Sequence, residues 1–121
     1  MHEIDLEYPD GALFYVVTAV YSRRLDIAQE FLAKWPEFRA PPRGVYIANA
    51  YAAIQEFQPM VPLYQDIIKG APSNPQYHAS LAAVYAQLGE RDLARKETEE
   101  AIRLDPGFKE QGRAFLKALG F

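Results

Sequence analysis

Shifting this chain along itself by 34 residues brings one stretch into register with another. Ile47-Ala48-x-x-Tyr51 falls on Leu81-Ala82-x-x-Tyr85, Ile54 on Leu88, Ile68 on Ile102, Lys69 on Arg103 and Pro72 on Pro106. A period of this length holds two helices and two turns. A unit so small cannot bury its apolar faces alone and must stack on a copy of itself. The expectation is an all-α chain, a row of helical hairpins that builds a binding scaffold rather than a catalyst.

Residues 75–108 carry the unit most clearly. Ser73 or Asn74 begins a helix whose first turn holds Pro75, where a missing N–H costs nothing. Gln76 follows Ser73 at the spacing of a capping box. Tyr77, Leu81, Val84, Tyr85 and Leu88 recur at helical intervals, and Gly89 ends the run. A second helix is expected over 91–104, with Leu93, Ala94, Ala101, Ile102 and Leu104 inward and Arg95, Lys96, Glu97, Glu99, Glu100 and Arg103 in water. Residues 41–74 repeat the plan, with helices over about 43–56 and 59–69. Residues 9–40 form a degenerate first unit, with helices over 11–22 and 25–34 and a length about two residues short of the period. Residues 109–120 add one amphipathic helix with Phe115, Leu116 and Leu119 inward, which caps the last hairpin. The whole of 1–121 reads as a single domain.

Composition narrows the function. Half the 121 residues are hydrophobic and 24% are charged, as in a folded domain rather than a disordered one. A formal net charge of −3 argues against nucleic acid as a ligand. With no cysteine there is neither a disulfide framework nor a thiolate metal site. Residues 1–7 are acidic where a secretory signal is basic, and the apolar run over 12–21 is short of the roughly 20 residues that span a bilayer. No direct membrane insertion is expected, and a cytoplasmic location is the default expectation.

The segment Leu81-Ala82-x-x-Tyr85, Gly89, Ala94, Ala101, Pro106 resembles the tetratricopeptide repeat. His78 stands where that family has a large aromatic, Ala48 and Ala82 where glycine is common, and Thr98 where an aromatic is common, a place Tyr64 fills in the unit before. The resemblance implies a right-handed α-solenoid of three such hairpins plus the carboxy-terminal capping helix, with a concave groove lined by the first helix of each hairpin. It also implies a protein or peptide ligand. The phrase Asn74-Pro75-Gln76-Tyr77-His78 and the 108–119 ending are similar as well to repeat-bearing tails of bacterial O-antigen-ligase-type membrane proteins. That likeness implies an alternative function, the soluble accessory tail of a larger glycan ligase or polymerase.

By the resemblance, the groove residues are Phe14, Val17, Tyr21, Val45, Tyr46, Asn49, Ala53, Gln76, Ser80 and Ala83. This surface is apolar to neutral-polar and carries Asn49 but no lysine or arginine apart from Arg43 at its edge. A clamp for a terminal carboxylate is therefore not expected, and an apolar or amphipathic segment is the expected ligand. The run over 12–21 has Thr18 as its one distinctly polar side chain, so something is expected to cover it: residues 1–8, a further domain, or a second copy in a homodimer. Enzymatic readings lack residues. His2 and His78 have no nucleophile or metal ligand at motif spacing, and the carboxylates of 97–100 have basic partners along the helix. No cofactor, metal or catalytic residue is expected.

Overall fold

The computed structural model describes residues 9–121, and among these residues every regular element is helical. In chain order they are α1 (Pro9–Tyr21), α2 (Leu25–Lys34), a 3₁₀ turn at Pro36–Arg39, α3 (Arg43–Ala53), α4 (Met60–Gly70), α5 (Pro75–Gln87), α6 (Arg91–Leu104), a 3₁₀ turn at Pro106–Phe108, and α7 (Lys109–Ala118). Each helix packs on its chain neighbour within a hairpin, and each hairpin leans on the next, through α1 on α3, α4 on α5 and α6 on α7. One apolar core runs the length of the stack. Ile47, Tyr51, Leu63 and Ile67 lie at its centre with 0–1% exposure. Burying a side chain of this size contributes about 1.5–3 kcal/mol.

The repeat is written in the backbone as well as in the side chains. The first helix of each hairpin ends on a left-handed residue: Arg23 (φ 60°), Gln55 (φ 61°) and Gly89 (φ 78°), with Gly120 (φ 95°) doing the same for α7. Each carries the same pair of bonds. Arg24, Glu56, Glu90 and Phe121 donate their N–H to Ala19, Tyr51, Tyr85 and Leu116, at 2.8–2.9 Å. Arg23, Gln55, Gly89 and Gly120 donate to Val20, Ala52, Ala86 and Lys117. This is the Schellman closure, which satisfies the last free carbonyls of a helix. The three hairpin turns lie 32 and then 34 residues apart. Two of them are also strapped to the next turn along. Arg23 donates to the Ile54 carbonyl (3.1 Å) and Arg91 to the Leu119 carbonyl (2.9 Å), in each case the closing residue of the following helix.

One position in the period controls how closely helices approach. Gly44, His78 and Gly112 are successive copies at the 34-residue spacing. A Cβ on Gly44 would stand 2.6 Å from the Arg39 carbonyl oxygen, and one on Gly112 would stand 2.8 Å from Ile102 Cδ1. Between them His78 is buried. Its Nδ1 lies 2.7 Å from Glu97 Oε1, and its Nε2 lies 3.1 Å from the Pro72 carbonyl oxygen. The ring therefore ties α5 to α6 and to the turn ahead of α5.

Several local expectations shift. Asn74, not Ser73, caps α5 by accepting from the Gln76 N–H at 2.9 Å, so no capping box forms. On α6 the inward stripe is Ala94, Thr98 and Ala101, while Leu93 is 42% exposed and Glu97 is half-buried on His78. Thr98 is at home there because its hydroxyl donates to the Ala94 carbonyl at 2.8 Å. Helix α3 stops at Ala53, three residues early, because the left-handed Gln55 has already turned the chain. After Trp35-Pro36 the chain makes a 3₁₀ turn that drives Phe38 edge-on against Phe31, with ring centres 5.0 Å apart. Arg39 then reaches across to Asp66 on α4 at 2.6 Å.

Candidate protein-binding groove

Helices α1, α3 and α5 are the first helices of the three hairpins and lie in the same register. Measured from the left-handed turns, Phe14, Tyr46 and Ser80 occupy one position of the repeat. Val17, Asn49 and Ala83 occupy the next turn of the same face, and Tyr21, Ala53 and Gln87 the turn after that. Leu13, Val45 and Ala79 line its flank, and Gln76 stands at its entrance on the first turn of α5.

Exposure separates these residues into anchors and floor. Phe14 is 62% exposed, Tyr46 58% and Tyr21 54%, so none of the three fills space between hairpins. Asn49, Ala53, Gln76 and Ala83 are also exposed. Val17 and Val45 are half-buried against the core, and Ser80 is half-buried. Arg43, at the edge, is drawn aside over the Phe38 ring at 4.8 Å. Residues 1–8, one of the expected covers of the 12–21 run, lie outside the described residues.

Where α3, α4 and α5 meet, the groove deepens into a cleft of about 240 Å³. Asn49, Ser80 and Ala83, all anticipated, line it together with Gln87. Its apolar wall of Phe57, Met60 and Tyr64 was not anticipated as part of a site. Those residues belong to the second helix of a hairpin and the turn before it. Their one signal was Tyr64, which the resemblance puts where the family commonly has an aromatic. Burial pushes the Tyr64 phenol above its ordinary value, and a hydrogen bond with Ser80 only partly opposes this. The hydroxyl is therefore a neutral polar group at the base of the cleft. Phe14, Val17 and Tyr21 do not line this cleft, and they form the other end of the stripe.

Two of the three carboxylates over 97–100 are held by partners. Glu97 accepts from His78, and Glu100 pairs with Arg103, whose hydrogen bond holds its carboxyl below the usual range. Among the described residues no three His, Cys, Asp or Glu side chains gather as a metal site would need. No helix there is long and apolar enough to cross a membrane.

No family model matches the sequence. It is 35% identical over 60 residues to small glutamine-rich tetratricopeptide repeat-containing protein 2 of Saccharomyces cerevisiae. It is 33% identical over 60 residues to the heat-shock protein cognate co-chaperone sgt12 of Aspergillus fumigatus. Each match takes in 50% of this chain but only 17% and 18% of the relative. Among solved structures a mutant of MamA superposes with a TM-score of 0.63, over 92% of this chain and 67% of that one, at 24% identity. Over half its length the chain is similar to a tetratricopeptide repeat protein. The likeness to MamA concerns the fold, and the fungal likeness carries the repeat type.

Proposed function

We propose that this tetratricopeptide solenoid is a non-catalytic scaffold whose groove captures an apolar or amphipathic segment of a protein partner. The observation that carries the reading is the alignment of two exposed aromatics, Phe14 and Tyr46, in one register, leading to a cleft edged by Asn49 and Gln87. Exposed aromatics at the centre of a patch are the usual energetic anchors of interfaces, at about 2 kcal/mol or more each. The amides of Asn49 and Gln87 match the backbone groups of a peptide, donating to its carbonyls and accepting from its N–H groups. A cleft of about 240 Å³ with an apolar wall suits one large aliphatic or aromatic side chain. The neutral lining supports an apolar ligand over a terminal carboxylate, since no cation stands in the repeated groove positions. The fungal relatives, one a co-chaperone by name, support a protein as the partner. Self-association through the first hairpin completes the reading, supported by the exposed apolar surface of α1.

Affinity capture followed by titration with the recovered peptide tests the groove. Tyr46→Ala is expected to weaken capture about thirtyfold, the equivalent of a 2 kcal/mol anchor. Asn49→Ala weakens it less, and the helical circular dichroism of both variants stays unchanged. Filling the cleft with Ala83→Trp is expected to abolish capture. Undiminished binding by all three variants sinks the groove.

A further inference from the structure

Among the described residues no element packs on the outer face of the first hairpin. Tyr15 holds the repeat position of Ile47 and Leu81, which are 0% and 2% exposed, yet Tyr15 is 39% exposed. Thr18 holds the position of Ala50 and Val84, both buried, yet it is exposed. Trp35 is 41% exposed and corresponds to Ile67 and Ala101, which are fully buried. Inside the array these positions are covered by packing. On this hairpin they line two adjoining hollows between α1 and α2, of about 460 and 300 Å³. An apolar face of this kind is expected to be covered.

Charge tells what covers it. The larger hollow is floored by Tyr15, Ile27, Phe31 and Trp35 and edged by Glu30 and Lys34. These two opposite charges lie one helical turn apart on the same side of α2, with the apolar strip between Ile27 and Trp35 alongside them. A two-fold interface must be complementary to itself, so that residue i meets j and j meets i. Two α2 helices laid antiparallel about an axis between Phe31 and Leu32 satisfy this to within half a residue. Glu30 then faces Lys34 of the partner copy, Lys34 faces its Glu30, and Ile27 lies by its Trp35. Lys34 already rests by the Trp35 ring, its Nζ 5.8 Å from the ring centre. A single-sign rim would repel its own copy, and this rim does not.

We infer that the α1–α2 face is a symmetric dimer interface, closed by a second copy of this chain through two reciprocal Glu30–Lys34 pairs around an aromatic centre. The inference rests on the self-association reading and is independent of what the groove binds.

Sedimentation velocity over the micromolar range, with Trp35 emission as a second signal, tests it. Trp35 is the sole tryptophan, so its spectrum reports this face alone. The wild type is expected to dimerise with a blue shift that grows with concentration. Glu30→Lys and Lys34→Glu each turn two attractions into two repulsions and are expected to weaken the dimer about tenfold. Mixing the two variants restores association, because every contact across the pair is then of opposite sign. The doubly swapped chain dimerises like the wild type. Tyr46→Ala leaves the dimer intact and Glu30→Lys leaves groove capture intact, so the two readings fail separately. A strict monomer at high micromolar concentration overturns the interface, and a monomer with blue-shifted Trp35 emission assigns the cover to residues 1–8 instead. A dimer indifferent to the charge swaps overturns it too.

Discussion

Gln55 and Gly89 adopt the same left-handed backbone at equivalent turns, with φ of 61° and 78°, but only one of them is glycine. For a residue with a Cβ this conformation costs roughly 1–2 kcal/mol, partly offset by the lower entropy that a side chain leaves to the unfolded state. Gln55→Gly is therefore expected to stabilise the fold by about 0.5–1 kcal/mol, and Gly89→Ala to destabilise it by about 1 kcal/mol. Urea denaturation compares the two directly, and a common sign for both changes would refute the assignment. No atom lies near the Cβ position of Gly89, so the effect on that side is conformational and not steric. Sequence shows the turn at Gly89 because glycine advertises it. At Arg23 and Gln55 the residue types give no such notice, and the same turn becomes visible only in the backbone.

Among the elements, α5 and α6 make the tightest pair, and their junction is where sequence reasoning misjudged the faces. A helical wheel puts Leu93 inside and Glu97 outside, following hydrophobicity alone. The folded hairpin does the reverse, since the His78 ring needs an acceptor and Glu97 stands 2.7 Å from its Nδ1. A buried polar ring without a partner would cost more than an exposed leucine gains. His78→Ala is expected to lower stability by about 2–3 kcal/mol, combining a cavity with the orphaned Glu97 and Pro72 acceptors. Leu93→Ala is expected to stay within about 0.5 kcal/mol of the wild type. Thermal melts of the two variants decide this, and a larger loss from Leu93 would show the faces to be wrongly assigned. Helix boundaries were legible to within about three residues wherever Pro, Gly or Asn punctuates the chain. The cleft was legible only in part, because Asn49, Ser80 and Ala83 lie on groove-facing helices whereas Phe57, Met60 and Tyr64 reach it from α4 and its approach.

The molecule as a whole is a stack in which the middle hairpin is supported from both sides, and there the two most protected phenols sit. Tyr51 and Tyr64 are 0% and 4% exposed, and burial raises both above the ordinary phenol value of 10.0. A proton held more tightly in the folded state contributes stability that is fully present below the unfolded value. That contribution is lost as the pH climbs toward the folded one. Stability to urea is thus expected to hold through mildly alkaline pH and to fall once the pH passes about 10, with Tyr64→Phe showing a shallower decline. An equally steep decline in that variant would separate the loss from Tyr64. The sequence by itself determined the architecture, because a 34-residue recurrence of apolar residues on helices leaves stacking as the one way to bury them. Which faces of the first helices line a groove came from the resemblance rather than from the spacing, and it stands as part of the proposal. Only the tertiary structure decided which of those residues stay exposed, what forms the wall of the cleft, and that the α1–α2 hollow carries opposite charges at its rim. Burial and charge geometry arise between elements distant along the chain, and a periodicity read along one strand of sequence contains no distance across space.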